Sequence, residues 1–177
     1  MKKRIEKIKE ILSDGQGAII TDDRNRFYFL GFNSSAGVLV ITKEKAYFYI
    51  DSRYIEKARK TIKNATVILM EKLYEQLKEL FKKEGIKEVL LEPDVTTITE
   101  TIRWKNALKE VDIITENKLS EVISKLRQIK SEEEIKEPAI YDGLSENQKK
   151  LMQFAQTVPE DKAALILKVM QSIVESD

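Results

Sequence analysis

The sequence contains neither cysteine nor histidine. The first absence excludes disulfides, thiolate metal ligands and a thiol nucleophile. The second removes the commonest general base, the usual activator of a serine nucleophile and the commonest transition-metal ligand. A catalytic centre in these 177 residues would have to be built from carboxylates, lysine, tyrosine or serine, which argues against a hydrolase. An excess of one charge sign is missing too: 31 basic residues stand against 30 acidic ones, a net +1. That balance supplies no long-range field to draw in nucleic acid or an anionic membrane, so neither is expected as a partner. No apolar run approaches the roughly 18 residues of a membrane span. The charged, amphipathic start MKKRIEKIKEILSD has no apolar signal region. A soluble, cytoplasmic protein is expected.

What is present is 42% hydrophobic and 34% charged, a globular composition well away from the disordered class. Ile5, Ile8, Ile11 and Leu12 fall at helical spacing in a first helix that Asp14 and Gly15 end. Short β-branched or aromatic runs predict strands at 17–22, 37–42, 45–51, 65–70, 87–92 and 111–115. The second and third of these form a hairpin across Lys43 and Glu44, a weak turn signal. Residues 23–29 read as a turn or short helix leading to Gly31. Helices are predicted at 53–62, at the stripe Leu73, Leu77, Leu80 and Phe81 that Gly85 terminates, at 97–108, and at 119–127. A further helix begins at 131–137. Strands alternating with helices after an initial hairpin indicate an α/β fold with a mixed β-sheet flanked by helices.

At Pro138 the character changes. Two helical stretches follow with no strand between them. Ser145 and Gln148 form a capping box for the first, and Pro159 suits the opening turn of the second. Leu151, Phe154, Ala155 and Val158 make one apolar stripe, and Leu165, Val169, Met170 and Ile173 another. The expected organisation is therefore an α/β domain over 1–137 and a helical hairpin over 138–177, foreign or fused. An apolar hairpin of this kind must pack on the body or on another copy, which points to a homodimer.

The stretch from Asn25 to Ala58 carries a resemblance. An aromatic approach leads to Gly31-Phe32, then to the small-residue turn Ser35-Ala36-Gly37, a hairpin, and Asp51-Ser52-Arg53-Tyr54. Together with LRQIKSEEEIK, Leu126 to Lys136, this resembles the amino-terminal domain of the creatinase/prolidase/aminopeptidase P family and the junction helix that follows it. The resemblance implies a domain placed before a "pita-bread" metallopeptidase domain. In the family, that second domain supplies two aspartates, a histidine and two glutamates to a pair of divalent metals. Nothing in this sequence occupies those positions, and too few residues follow 137 for a domain of roughly a hundred or more. A non-catalytic chain with no cofactor and no metal ligand is expected, the parent catalytic domain being elsewhere.

By the same resemblance, the domain helps form the dimer and narrows access to the partner's active site, selecting short peptides with proline second. The surface implied for that role carries Asn33, Ser34, Ser35, Arg53 and Tyr54. Ser34 stands where glycine is common, and because serine resists positive φ, a local shift of backbone is expected. The tail from Leu144 is similar to the carboxy-terminal helices of phage-repressor-type regulators, but without a helix-turn-helix no DNA binding is carried over.

Plainer readings stand beside these. Asp51 and Arg53 can be a helix cap and a surface pair rather than substrate contacts. Tyr47, Phe48 and Tyr49 can be hairpin packing with alternate rings on opposite faces. Trp104 reads as packing and Glu132–Glu134 as a solvated helix start. Glu92 and Asp94 flank Pro93, but two carboxylates do not make a cation site. A stand-alone binding or assembly module, oligomerised by its helical tail, remains the alternative function. A histidine-free enzyme ranks last.

Overall fold

The computed structural model describes residues 2–128. The chain divides into two units, residues 1–129 and 130–177, and the described residues belong to the first. The junction helix beyond 128, the boundary at Pro138 and the helical tail lie outside the described residues.

Helix α1 (Lys2–Ile11) leads into β1 (Gln16–Ile20), α2 (Asp23–Leu30), β2 (Val38–Thr42), β3 (Ala46–Ile50), α3 (Ile55–Thr61) and β4 (Thr66–Leu69). Then come α4 (Leu73–Glu84), β5 (Glu88–Leu90), α5 (Ile98–Ala107), β6 (Asp112–Ile114) and α6 (Lys118–Gln128). The strands form one six-stranded sheet in the order β4-β3-β2-β1-β5-β6. β2 runs antiparallel to both β1 and β3, whereas β3–β4, β1–β5 and β5–β6 are parallel. This is the mixed sheet flanked by helices that the alternation of elements predicted. Every residue of β2 and β3 is buried, because both faces of the central sheet are covered. That explains why VLVIT and AYFYI read as unbroken apolar runs without polar alternation.

Side-chain alternation divides the core in two. Ala18, Ile20, Leu39, Ile41, Phe48 and Ile50 face α1, α2, α3 and α6, meeting Ile5, Ile8, Phe29, Ala58, Leu119 and Ile123. Ile19, Val38, Val40, Tyr47, Tyr49 and Val89 face α4 and α5, meeting Leu77, Phe81 and Trp104. Phe48 and its two tyrosine neighbours thus pack on opposite faces. Trp104 is a packing residue, its ring edge-on to Tyr74 with centroids 5.3 Å apart. Helix α5 starts at a full capping box between Thr97 and Glu100, and α4 ends at Gly85 in the left-handed conformation, φ 68°, as glycine permits.

The β2–β3 turn uses neither Asn nor Gly, and among the described residues no non-glycine has positive φ. The usual mirror-image hairpin turn is therefore excluded. Instead, the Thr42 hydroxyl accepts the Lys45 N–H at 3.1 Å, while the Thr42 N–H donates to the Lys45 carbonyl at 2.8 Å. Lys43 reaches Asp14 at 2.6 Å, and Lys9 donates to the Glu44 carbonyl at 2.9 Å, tying the exposed tip to α1 and the turn after it. Thr42 itself is 2% exposed. Replacing it by valine keeps the shape and removes the acceptor. Thr42→Val also removes the hydroxyl's own bond to the Lys45 carbonyl at 3.2 Å, so it is expected to cost about 1–2 kcal/mol, roughly 1 for each bond lost, measured by urea unfolding.

Candidate functional site

Sheet register explains why residues distant in sequence share one edge. Val38 at the start of β2 pairs with Tyr49 near the end of β3, and Ile20 at the end of β1 pairs with Leu39. Ala18 of β1 lies beside Leu90 of β5 in a parallel pair. The segments after β1, β3 and β5 and the loop before β2 therefore gather at the same end of the sheet.

Four of the five residues singled out from the sequence reach the surface there. Asn33, Ser35 and Arg53 are exposed, and Tyr54 is half-buried. The Ser35 hydroxyl and the Tyr54 hydroxyl are 3.1 Å apart. Arg53 lies over the Tyr54 ring at 5.4 Å and pairs with Asp51 at 2.6 Å. This exposed pair holds the Asp51 carboxyl below its ordinary range, chiefly through the side-chain hydrogen bond from Arg53. The surface-pair reading of Asp51 and Arg53 holds, but the helix-cap reading does not. The N-cap of α3 is Tyr54, which makes no side-chain capping bond. Asp51 instead accepts the Arg53 N–H through its carboxylate and the Tyr54 N–H through its carbonyl, closing the turn before the helix.

Ser34 is placed differently from the other four. It is buried, and its hydroxyl donates to the Ala36 carbonyl at 2.8 Å. The positive φ of this loop falls on Gly31 (64°), which closes α2, and on Gly37 (129°). A Cβ on Gly37 would lie 2.8 Å from the Phe48 ring, so space as well as backbone angle demands glycine there.

What holds the loop is a residue that the sequence did not single out. Arg26 is 4% exposed, and its guanidinium donates to three backbone carbonyls. These are Thr21 at the end of β1, Ser34 at 2.9 Å and Gly37 at 2.8 Å. Burial lowers its pKa, opposed by the nearby charges of Asp23, Asp22 and Glu92, yet a guanidinium stays protonated in proteins. Its Nε is the buried side-chain nitrogen left without a hydrogen bond among the described residues.

Beside it runs a second chain of polar contacts. Glu92, 1% exposed, accepts the Thr21 N–H at 2.7 Å and the Asp22 N–H at 3.2 Å on one oxygen. Its other oxygen accepts Asn25 Nδ2 at 2.7 Å, and Asn25 Oδ1 in turn accepts from Arg127 at 2.8 Å. Asp22 caps α2 through the Asn25 N–H. The Tyr28 hydroxyl donates to the Leu126 carbonyl at 2.8 Å. Helix α2 thus ties the last turn of α6 to the strand-end loops. Burial raises the Glu92 pKa above its ordinary 4.5, against the lowering effect of the hydrogen bonds from Asn25, Thr21 and Asp22. Among the described residues, no group of three or more Asp and Glu side chains is arranged to hold a metal ion, and no helix is long and apolar enough to cross a membrane.

Two outcomes test this arrangement. Arg26→Met is expected to destabilise the protein by about 3 kcal/mol or more, because each buried carbonyl left without a donor costs about 1–3 kcal/mol. The same variant should lose amide-exchange protection in residues 31–37. For Glu92, a raised folded-state pKa means that the folded protein binds the proton more tightly than the unfolded chain. The stability this contributes is present below 4.5 and is lost as pH rises through the raised value. In urea titrations from about pH 4 to about pH 8, the wild type should lose stability relative to Glu92→Gln as pH climbs.

The creatinase/prolidase N-terminal domain family model matches residues 4–129. The uncharacterized peptidase YqhT of Bacillus subtilis is 31% identical over 138 residues, which are 75% of this chain and 38% of that protein. The chain spans about a third of the length of the curated relatives it matches. Among solved structures, a Xaa-Pro dipeptidase from Bacillus anthracis superposes with a TM-score of 0.68 at 27% identity, covering 76% of this chain and 38% of that one. The N-terminal domain of the cytoplasmic peptidase PepQ from Mycobacterium tuberculosis shares the fold with a TM-score of 0.60 at 21% identity, over 71% of this chain and 98% of that domain. By the extent of the family match and the sheet that carries it, this chain belongs to the creatinase/prolidase N-terminal domain family.

Proposed function

We propose that the chain serves as the non-catalytic amino-terminal domain of a Xaa-Pro peptidase, dimerising and restricting substrate access, with the metal-binding catalytic domain supplied elsewhere. The observation that carries this reading is the family match over 4–129, in a sequence that holds no histidine for the family's metal centre. The strand-end surface suits the role. Tyr54, held by Ser35 at its hydroxyl and covered by Arg53 over its ring, makes with that arginine a pair of the residue types enriched at interface hot spots. A neighbouring loop pinned from beneath by Arg26 can meet a partner without first losing conformational entropy.

Light scattering on the full chain, and on a version ending at Lys136, tests the assembly. The shortened form is a fair object, since an isolated N-terminal domain of the same fold exists as a solved structure. Both are expected to be dimeric, and Arg53→Glu combined with Tyr54→Ala should yield monomers. A dimeric full chain with a monomeric short form would instead favour a stand-alone module assembled by its tail. Release of proline from a Xaa-Pro dipeptide by the pure chain with Mn²⁺ would overturn the non-catalytic assignment.

A further inference from the structure

The sheet has one point at which the chain leaves in opposite directions. From β1 it proceeds to β2, β3 and β4 on one side, then returns to β5 and β6 on the other. Connections after the parallel neighbours β1 and β5 therefore diverge, and a crevice outside their carboxyl ends follows from the topology. A cavity of about 380 Å³ lies there, between Asn25 of α2, the turn Glu92–Val95 and the last two turns of α6. Its size falls within the usual range for small-ligand sites, roughly 300–1,000 Å³.

Its lining has unspent hydrogen-bonding capacity. Ser120 is 6% exposed, faces the cavity, and its hydroxyl has no partner among the described residues. Ser124, one turn further along α6, lines the same wall. Arg127 gives one guanidinium nitrogen to Asn25, and its other N–H groups make no bond among the described residues. Asp94 lines the cavity together with the buried Glu92, whose oxygens are already occupied by Thr21, Asp22 and Asn25. Two carboxylates against one guanidinium disfavour a phosphate or any dianion. They suit a ligand that brings its own cation for Asp94 and a single carboxylate for Arg127 and the serine hydroxyls.

We propose that this crevice binds a small zwitterion, a free amino acid or dipeptide, with its ammonium at Asp94 and its carboxylate at Arg127 and Ser120. The lining residues named here all belong to the described unit, none of them is among the assembly-surface residues, and the proposal does not rest on the proposed function.

Titration of the ¹⁵N-labelled full chain with the dipeptide glycyl-alanine, followed by NMR, tests it. Saturable shifts are expected at the amides of Asn25, Asp94, Ser120 and Ser124. N-acetyl and C-amide forms of the dipeptide should each bind about tenfold more weakly, having lost one charge-assisted bond. The exposed variant Asp94→Asn should weaken the free dipeptide by a similar factor but leave the N-acetyl form unchanged, as expected when two changes remove one interaction. Asp94 makes no hydrogen bond among the described residues, so this variant should fold as the wild type does. Absence of saturable binding up to about 10 mM would overturn the proposal, since two charged contacts in a preformed site should register there. Equal binding of blocked and free dipeptides would overturn it too. Neither result bears on the dimer measured by light scattering, so the two readings fail separately.

Discussion

The strand-end surface depends on a single buried cation. Arg26 occupies a position from which water is excluded, and it holds the end of β1 and both ends of the loop 34–37 through backbone carbonyls. Carbonyls in a buried, irregular loop have no ladder to satisfy them, and each would otherwise carry a desolvation cost. One planar fork with several donors meets that demand at several points at once. Among the described residues the charge is not paired within a salt bridge. The carboxylates of Asp23, Asp22 and Glu92 offset it from a distance. Removing the guanidinium would therefore uncouple the loop from the sheet without touching either hydrophobic layer.

A second consequence concerns the direction in which the chain leaves the domain. The end of α6 is joined to α2 by Arg127–Asn25 and by Tyr28–Leu126, and Asn25 is anchored on Glu92. Asn25 and Arg26 are neighbours on a short, eight-residue helix. Displacement of the last turn of α6 would thus reach the loop 33–37 through one rigid element. The contacts form a direct physical route between the last turn of α6 and the strand-end loops. It is a route of packed contacts, and coupling along it is a property to be measured.

The elements were readable because their causes are local. Ile5 and Ile8 spaced for one helical face, the αL glycines at Gly31 and Gly85, and the Thr97–Glu100 capping box all act within a few residues. The outer parallel strands are shorter than the sequence predicts. Residues 87–92 and 111–115 were expected in strands, but only Glu88–Leu90 and Asp112–Ile114 pair. Glu92 is drawn out of the ladder to receive the N–H groups of Thr21 and Asp22. Asp51 and Arg53 were legible as a pair for the same local reason, being two residues apart.

Arg26 and Glu92 were not legible in this way. A charged residue in a short helix, or beside a proline, is by default on a solvated face. Nothing in RNRFYFLGF, residues 24–32, distinguishes the buried Arg26 from the exposed Arg24. Glu92 takes its role from Asn25, Asp22 and Thr21, 67 to 71 positions away, whereas Arg26 meets carbonyls only 5 to 11 positions away that come within its reach because the loop folds back over the end of β1. The sequence by itself determined the order of helices and strands, the two-sided burial of β2 and β3, and the family, since periodicity and short motifs encode these locally. Only the tertiary structure decided that Ser34 turns inward, that Arg26 carries the loop, and that a crevice opens beyond the carboxyl ends of β1 and β5. Those outcomes depend on which strand ends the sheet brings together, and on the high cost of leaving any buried carbonyl or charge there unsatisfied.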